Sequence, residues 1–307
     1  MRCLVLGGDG FIGSYIVEQL LIQKHQVTVY KRPNTLPKNL NHIKDNINFI
    51  YGDFRTENDF TSLLSDIDWV FHVICTTLPA NENAISDIEE NVIPTLRLLE
   101  ACREVDVQKI IFVSSGGTVY GPSDEIGMSE DHLTNPICAY GVQKLMIEKY
   151  LNLFQHLYGV DYAVMRVANP YGERQNPLKP QGAIAAFIAR AILGQRIEIW
   201  GDGSVVRDFL HVSDVAKAAV KIAEYMGQEK VFNIGSGLGY SLNEVIDCIE
   251  SVIGEKVNKN FRLERKQDVP FNVLDISKTE TYLGWKPEVT IEDGIERVVR
   301  EWIVKFR

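Results

Sequence analysis

The stretch Cys3-Leu4-Val5-Leu6-Gly7-Gly8-Asp9-Gly10-Phe11-Ile12-Gly13 decides the fold. A short apolar run ends in glycines, and apolar residues at helical spacing (Ile12, Ile16, Leu20) follow at once. That pattern reads as a strand, a tight turn and the start of a helix. Gly7, Gly10 and Gly13 are the residues such a turn needs if a pyrophosphate is to lie against it. Glycine permits the turn, the close approach of backbone to phosphate, and close packing of helix on strand. The phosphates then meet the positive end of the helix. Three glycines at this spacing arise by chance in roughly 0.1 of chains this long, so their place between the first strand and the first helix carries the weight. The spacing is one residue longer than the commoner G-x-G-x-x-G.

Outward from this turn, strand and helix signals alternate. Strands are expected at 3–6, 27–30, 48–51, 69–75, 110–113 and 162–166, and helices at 11–24, 85–104 and 140–158. Continuous apolar strands between helices mean a parallel sheet covered on both faces, a doubly wound α/β (Rossmann-type) domain over about 1–167. The second half is more broken. A Pro-, Asn- and Gly-rich stretch at 169–181 reads as loop, and Gly201-Asp202-Gly203-Ser204 as a turn. Helices are expected at 183–193, 212–226, 242–253 and 291–306, and a late strand at 231–234. The simplest organisation is a smaller, discontinuous substrate domain (168–204 and 236–307), with a segment near 205–235 returning to the first domain.

With 307 residues the chain has room for two domains or one large one. Hydrophobic residues at 45% and charged residues at 24% exclude disordered and collagen-like classes. No run approaches the roughly 18 apolar residues of a membrane span, and the first residues lack a signal-peptide h-region. The net charge of −9, without basic clusters, argues against nucleic acid and anionic membranes. Positive charge for a polyanionic ligand must then be local. Cys3, Cys75, Cys102, Cys138 and Cys248 are odd in number, far apart and free of Cys-x-x-Cys pairs. They fit a reducing, cytoplasmic setting and neither a disulfide framework nor a zinc site. Cys3, Cys75 and Cys102 read as small core residues, and His72 as a satisfied core histidine. The histidines show no metal-ligand spacing, so no metal is expected.

The end of the second strand in such folds supplies an acid to the adenosine ribose of NAD. Here it reads Val29-Tyr30-Lys31-Arg32. Lys31 and Arg32 are suited instead to the 2′-phosphate of NADP, or are solvated loop cations. Asp53 ends the third strand, next to Phe54, within reach of the adenine amino group.

Tyr140 and Lys144 are four apart at the start of the second long helix, so both side chains share one face. A phenol with a pKa near 10 is a poor base at neutral pH, and a nearby ammonium and an oxidised nicotinamide both favour its phenolate. Lys144 also suits the nicotinamide ribose. Roughly one Tyr-x-x-x-Lys is expected by chance in a chain of this size. A second occurs at Tyr282 and Lys286, but it spans Gly284-Trp285 and precedes Pro287, so it is no helix face. The first gains its meaning from the glycine turn and from the hydroxyl-rich Ser114-Ser115-Gly116-Gly117-Thr118 after an intervening strand.

Taken together, the glycine turn, Asn91 in Glu90-Asn91-Val92, the Ser114–Gly121 turn, Tyr140/Lys144, Arg166–Tyr171, Val206-Arg207-Asp208-Phe209 and Leu283-Gly284-Trp285-Lys286-Pro287 resemble the extended short-chain dehydrogenase/reductase family. Within it they are similar to the nucleotide-sugar 4-epimerases of the UDP-galactose epimerase type. The resemblance spans essentially the full length. It implies Tyr140 as base with Lys144 as partner, and Phe11 and Ile12 lining the pyrophosphate turn. It also implies Asn91 on the cofactor side, Asn169 on the sugar nucleotide, and a homodimer formed through the two long helices. Arg207 and Arg265 are implied as a clamp on the diphosphate, a role guanidinium groups suit in an acidic protein.

Three positions depart from the family pattern. Lys31 replaces the usual acid. Gly116 stands where many members carry a catalytic Ser or Thr, leaving Ser115 or Thr118 to supply the hydroxyl. Ala168 stands where an aromatic ring is common, which enlarges the sugar pocket. The Asp-Glu pair of the dehydratase branch is absent. The expected activity is a UDP-hexose 4-epimerase working through a transient 4-keto sugar and bound NAD or NADP. The alternative is an NADPH-dependent 4-ketoreductase of a dTDP- or UDP-linked 6-deoxy sugar, which Lys31 and Arg32 favour. A catalytically silent nucleotide-binding protein on the same fold is the third reading, which the intact Tyr140/Lys144 pair opposes.

Overall fold

Strand β1 (Arg2–Leu6) is buried on both sides beyond its first residue. Its side chains part by alternation: Cys3 and Val5 enter one apolar cluster, Leu4 and Leu6 another. A computed structural model describes the chain over residues 1–33, 35–78, 83–123, 125, 127–178, 182–263 and 269–306. After β1 come α1 (Phe11–Ile22), β2 (Gln26–Lys31), β3 (Asn48–Tyr51), α2 (Phe60–Leu64), β4 (Trp69–His72), α3 (Ala84–Asp87) and α4 (Ile93–Glu104). They are followed by β5 (Lys109–Ser115), α5 (Ala139–Tyr158), β6 (Tyr162–Val167), β7 (Asn169–Tyr171), α6 (Ala183–Ile192), β8 (Ile197–Trp200), β9 (Val206–His211) and α7 (Val212–Glu224). The chain closes with β10 (Val231–Ile234), β11 (Gly239–Ser241), α8 (Leu242–Ile253), β12 (Lys259–Arg262), β13 (Phe271–Asn272), α9 (Ser277–Leu283) and α10 (Ile291–Phe306).

Seven strands form one sheet in the order β10-β6-β5-β4-β1-β2-β3, every pairing parallel. The alternation of β1 recurs along it: Phe71, Ile111 and Met165 face the first cluster, and Val70, Phe112 and Val164 the second. Helices α1 and α7 close the first face, and α2, α4 and α5 the second. Burial on both faces is why the central strands β1, β4, β5 and β6 read as largely apolar runs, whereas the edge strand β3 is only partly buried. The strand order reverses between β1 and β4, and in such sheets the crevice beyond the carboxyl ends of the strands at that point receives the ligand.

The remaining strands form two small sheets: β9 with β7, β11 and β13, and β8 with β12. A third apolar cluster is built from α6, α8 and α10, with Trp302 fully buried. The late strand 231–234 does return to the large sheet, as its edge beside β6. Within the expected returning segment, β9 pairs in a small sheet while its Leu210 joins the first apolar cluster, to which α7 and β10 contribute most.

Three local readings are corrected. The helix expected over 85–104 is broken by a π-turn at Ile88–Val92. The apolar run 69–75 is strand only to His72; Cys75 is partly exposed and belongs to no core cluster. The stretch 169–181 opens with β7, because Asn169–Tyr171 lies in parallel register on Phe209–His211. His72 is buried as expected, with Nε2 2.8 Å from Thr95 Oγ1, and burial drives its pKa down to about 3. No helix among the described residues is long and apolar enough to cross a membrane.

Candidate active site

A cleft of about 830 Å³ opens beyond the carboxyl ends of β1 to β6, and the segments following all six strands line it. Its floor is the glycine turn. Gly7 has φ +81°, and Gly10 N–H donates to Gly7 O at 2.9 Å. A Cβ on Gly13 would stand 2.4 Å from Gly7 O and 2.8 Å from Gly8 Cα, so only glycine fits. No side chain caps α1 at Gly10, which leaves its first-turn N–H groups for a ligand. Phe11 and Ile12 line the cleft at this point.

Lys31, Arg32, Asp53 and Phe54 line one end of the cleft. The structure corrects the role expected of Lys31. Its side chain is 4% exposed, with Nζ donating to Thr35 O at 2.8 Å and pairing with Asp9 Oδ2 at 3.0 Å. Lys31 is thus half of an internal ion pair and does not stand free for a phosphate. Arg32 is exposed. Asp53 is gripped by Arg55, whose Nη2 lies 2.6 Å from Oδ2, and this bond holds the carboxyl below its ordinary range. The Phe54 ring is buried against Phe60 and His72.

At the other end stand Tyr140 and Lys144, on the first turns of α5. Lys144 is buried; Nζ donates to Val113 O at 2.8 Å and lies 4.7 Å from the Phe112 ring centre and 5.7 Å from that of Tyr140. Burial pushes the Tyr140 phenol well above its usual range, and the negative potential of Cys75, Cys138 and Asp87 adds to it. Burial pulls the Lys144 ammonium down. The pair is therefore sensitive to any charge that enters beside it.

The hydroxyl turn follows β5. Ser115, Gly117 and Thr118 line the cleft, and Gly116 does not. A Cβ at Gly116 would meet Leu274 Cδ1 at 2.6 Å and Arg166 O at 3.0 Å, so a serine there would require the Leu274 side chain to shift. Thr118 Oγ1 is buried with no hydrogen-bond partner among the described residues, which marks it as the hydroxyl awaiting one. A buried network fixes the turn from behind. Ser114 Oγ donates to Glu148 Oε1 at 2.5 Å, Arg166 Nη2 donates to Glu148 Oε2 at 2.8 Å, and Arg166 Nη1 donates to the Tyr120 hydroxyl at 3.0 Å.

Asn91 stands behind the cleft and not on it. Within the π-turn its Oδ1 accepts from Thr76 N–H at 2.9 Å, so it positions the 76–77 segment that lines the site. Asn169 and Ala168 line the cleft, with Asn169 Nδ2 donating to Asp208 O at 3.0 Å. Arg207 lies off the lining, its Nη1 donating to Val269 O at 2.7 Å. Arg265 falls outside the described residues. Among the described residues no group of His, Cys, Asp and Glu forms a metal site.

Sequence reading missed Asp9, the Cys75–Leu78 segment, Gln175 and Gly182, all on the cleft. Only Asp9 carried a signal: an acid inside the glycine turn, facing a lysine where the acid was expected.

The family model described as "NAD dependent epimerase/dehydratase family" matches residues 3–235. The chain is similar to the UDP-glucose 4-epimerase of the hyperthermophile Thermotoga maritima, solved with UDP-glucose, at 34% identity and TM-score 0.94, covering 100% of both chains. It is similar to the UDP-glucose 4-epimerase of Thermus thermophilus, solved with NAD, at 30% identity and TM-score 0.90, over 98% of this chain and 99% of that one. It is also 32% identical to a dTDP-4-dehydro-6-deoxyglucose reductase of Escherichia coli, over 97% of this chain and 96% of the other.

Proposed function

Because the chain belongs to the NAD dependent epimerase/dehydratase family, we propose that it is a UDP-hexose 4-epimerase that keeps NAD bound. The carrying observation is that one cleft holds the glycine turn at one side and Tyr140, Lys144 and the unpartnered Thr118 hydroxyl at the other. The residues fit a nicotinamide dinucleotide: a glycine-only floor, an uncapped helix start and unanswered polar atoms along the walls.

The glycine turn would hold NAD, which would supply reversible hydride acceptance at the sugar C4. Tyr140 removes the proton of the C4 hydroxyl and gives it back when the alcohol re-forms. Lys144 keeps positive charge beside that phenol. Thr118, with Ser115 beside it, donates to the C4 oxygen and holds it against Tyr140. Asn169 holds the nucleotide, and Arg207 together with Arg265 holds the diphosphate while the 4-keto hexose turns. Ala168 leaves room for that turn. A homodimer belongs to the same proposal, since the long helices carry exposed Ile93, Val142, Leu153 and Leu157.

The second reading, a 4-ketoreductase using exchangeable NADPH, draws on the E. coli relative and on exposed Arg32. It loses its main support because Lys31 is already paired. The test is interconversion of UDP-glucose and UDP-galactose. Tyr140→Phe is expected to lower turnover by about 10²- to 10⁴-fold while UDP-hexose affinity, measured by calorimetry, changes less than about threefold. NADPH-dependent reduction of a 4-keto sugar nucleotide, without epimerisation, would overturn the proposal.

A further inference from the structure

Asp9 sits inside the glycine turn and lines the cleft. Its two carboxylate oxygens have different fates. Oδ2 takes the Lys31 ammonium at 3.0 Å, and Oδ1 is buried with no hydrogen-bond partner among the described residues. A carboxylate oxygen shielded from water and left unpaired is costly, so it calls for a donor. Lys31 occupies the very position at the end of β2 where an acid would accept the hydroxyls of the adenosine ribose. The acid and the base thus stand across from each other at the mouth of β1 and β2, the acid on the glycine turn and the lysine at the end of β2.

We propose that Asp9 accepts the adenosine-ribose hydroxyls of the dinucleotide, in place of the acid missing from β2, and selects NAD over NADP. This rests on the reading above that the cleft holds a nicotinamide dinucleotide. An ionised carboxylate is acceptor-only. It pairs with a diol and repels a 2′-phosphate, which has no proton to offer. Lys31 cannot rescue the phosphate, because its ammonium is spent on Asp9 and Thr35 O. Arg55 is likewise engaged by Asp53. Lys31 is therefore a positioning residue that holds Asp9 in place.

The experiment equilibrates the purified protein with an equimolar mixture of NAD and NADP, removes free nucleotide, denatures the protein, and measures the retained ratio by chromatography. Wild type is expected to retain NAD over NADP by at least about tenfold. Asp9→Ala is expected to bring the ratio below about threefold. Returning the acid to β2 by adding Lys31→Asp to Asp9→Ala is expected to restore the NAD preference. If Asp9→Ala gives no cooperative melt, Asp9→Asn is read in its place with the same expected collapse. A folded variant that keeps the wild-type ratio would overturn the inference and leave the epimerase proposal standing, whereas a wild type that prefers NADP would overturn the inference and the bound-NAD part of that proposal. A wild type that retains neither nucleotide would overturn both.

Discussion

Replacing Lys144 with Met removes one buried charge and keeps most of the side chain's bulk. The ammonium lies 5.7 Å from the centre of the Tyr140 ring. At an effective dielectric of about 20, unit charges at that separation interact by about 3 kcal/mol. That corresponds to about two pH units on the phenol. The sign follows from which form works. Tyr140 must lose its proton to act as base, and burial already raises its pKa. The ammonium opposes that rise, so removing it pushes the phenol higher still. The acid limb of kcat/KM against pH is expected to move about two units alkaline in Lys144→Met, costing roughly 100-fold at a pH on the limb. The assay is the UDP-glucose/UDP-galactose interconversion across pH, with Tyr140→Phe as the control that has no such limb. Weakened nucleotide holding alone would lower the whole profile without shifting it. A limb that stays within about half a unit would refute the electrostatic role given to Lys144.

Two further outcomes concern stability. Arg166→Met leaves the Glu148 carboxylate buried without its guanidinium, and such a loss costs about 3–5 kcal/mol. A melting temperature about 10 °C lower is expected, with Arg166→Met plus Glu148→Met recovering most of it; no recovery would mean that lost packing, not the orphaned charge, is the cause. Glu173 sits at the junction of α1, β9 and α10. Burial raises its carboxyl, but the His211 imidazole 3.3 Å from Oε2 and the hydrogen bond from the Tyr15 hydroxyl outweigh burial and hold it near 2. A depressed carboxyl stabilises the fold above its unfolded pKa of about 4.3, by about 3 kcal/mol, and loses this as pH falls toward 2. Wild type and Glu173→Gln should therefore differ in denaturant stability at pH 6 and converge by about pH 2. A constant gap would exclude the linkage.

The sequence made the large sheet legible because its physics is local. Strands buried on both faces must be apolar throughout, and β3, β10, α8 and α10 fall where the pattern puts them. The small sheets were not legible. Strands such as β11 and β13 are two or three residues long, and they exist only because β9 offers them a partner from elsewhere in the chain. The π-turn at Ile88–Val92 was hidden for a related reason. The π-turn contains Asn91, whose side chain accepts from Thr76 N–H, a contact spanning 15 residues that no local pattern shows.

The site divides along the same line. Residues whose role follows from their own backbone, such as Gly7 and Gly13, or from spacing on one helix, such as Tyr140 and Lys144, were found from the sequence and share the cleft. Residues whose setting depends on what faces them were not fully legible. Lys31 looked like a free cation because the acid that neutralises it lies 22 positions earlier. Gly116 was read as a departure that leaves the hydroxyl to Ser115 or Thr118, but its physical reason was hidden: Leu274, from the far end of the chain, packs where a side chain would stand. In both cases a second residue decides the meaning of the first. Charge and volume at this site are properties of pairs, Asp9 with Lys31 and Gly116 with Leu274. A single substitution at either member should therefore do more than that residue's own chemistry suggests, and a compensating change at its partner should undo it.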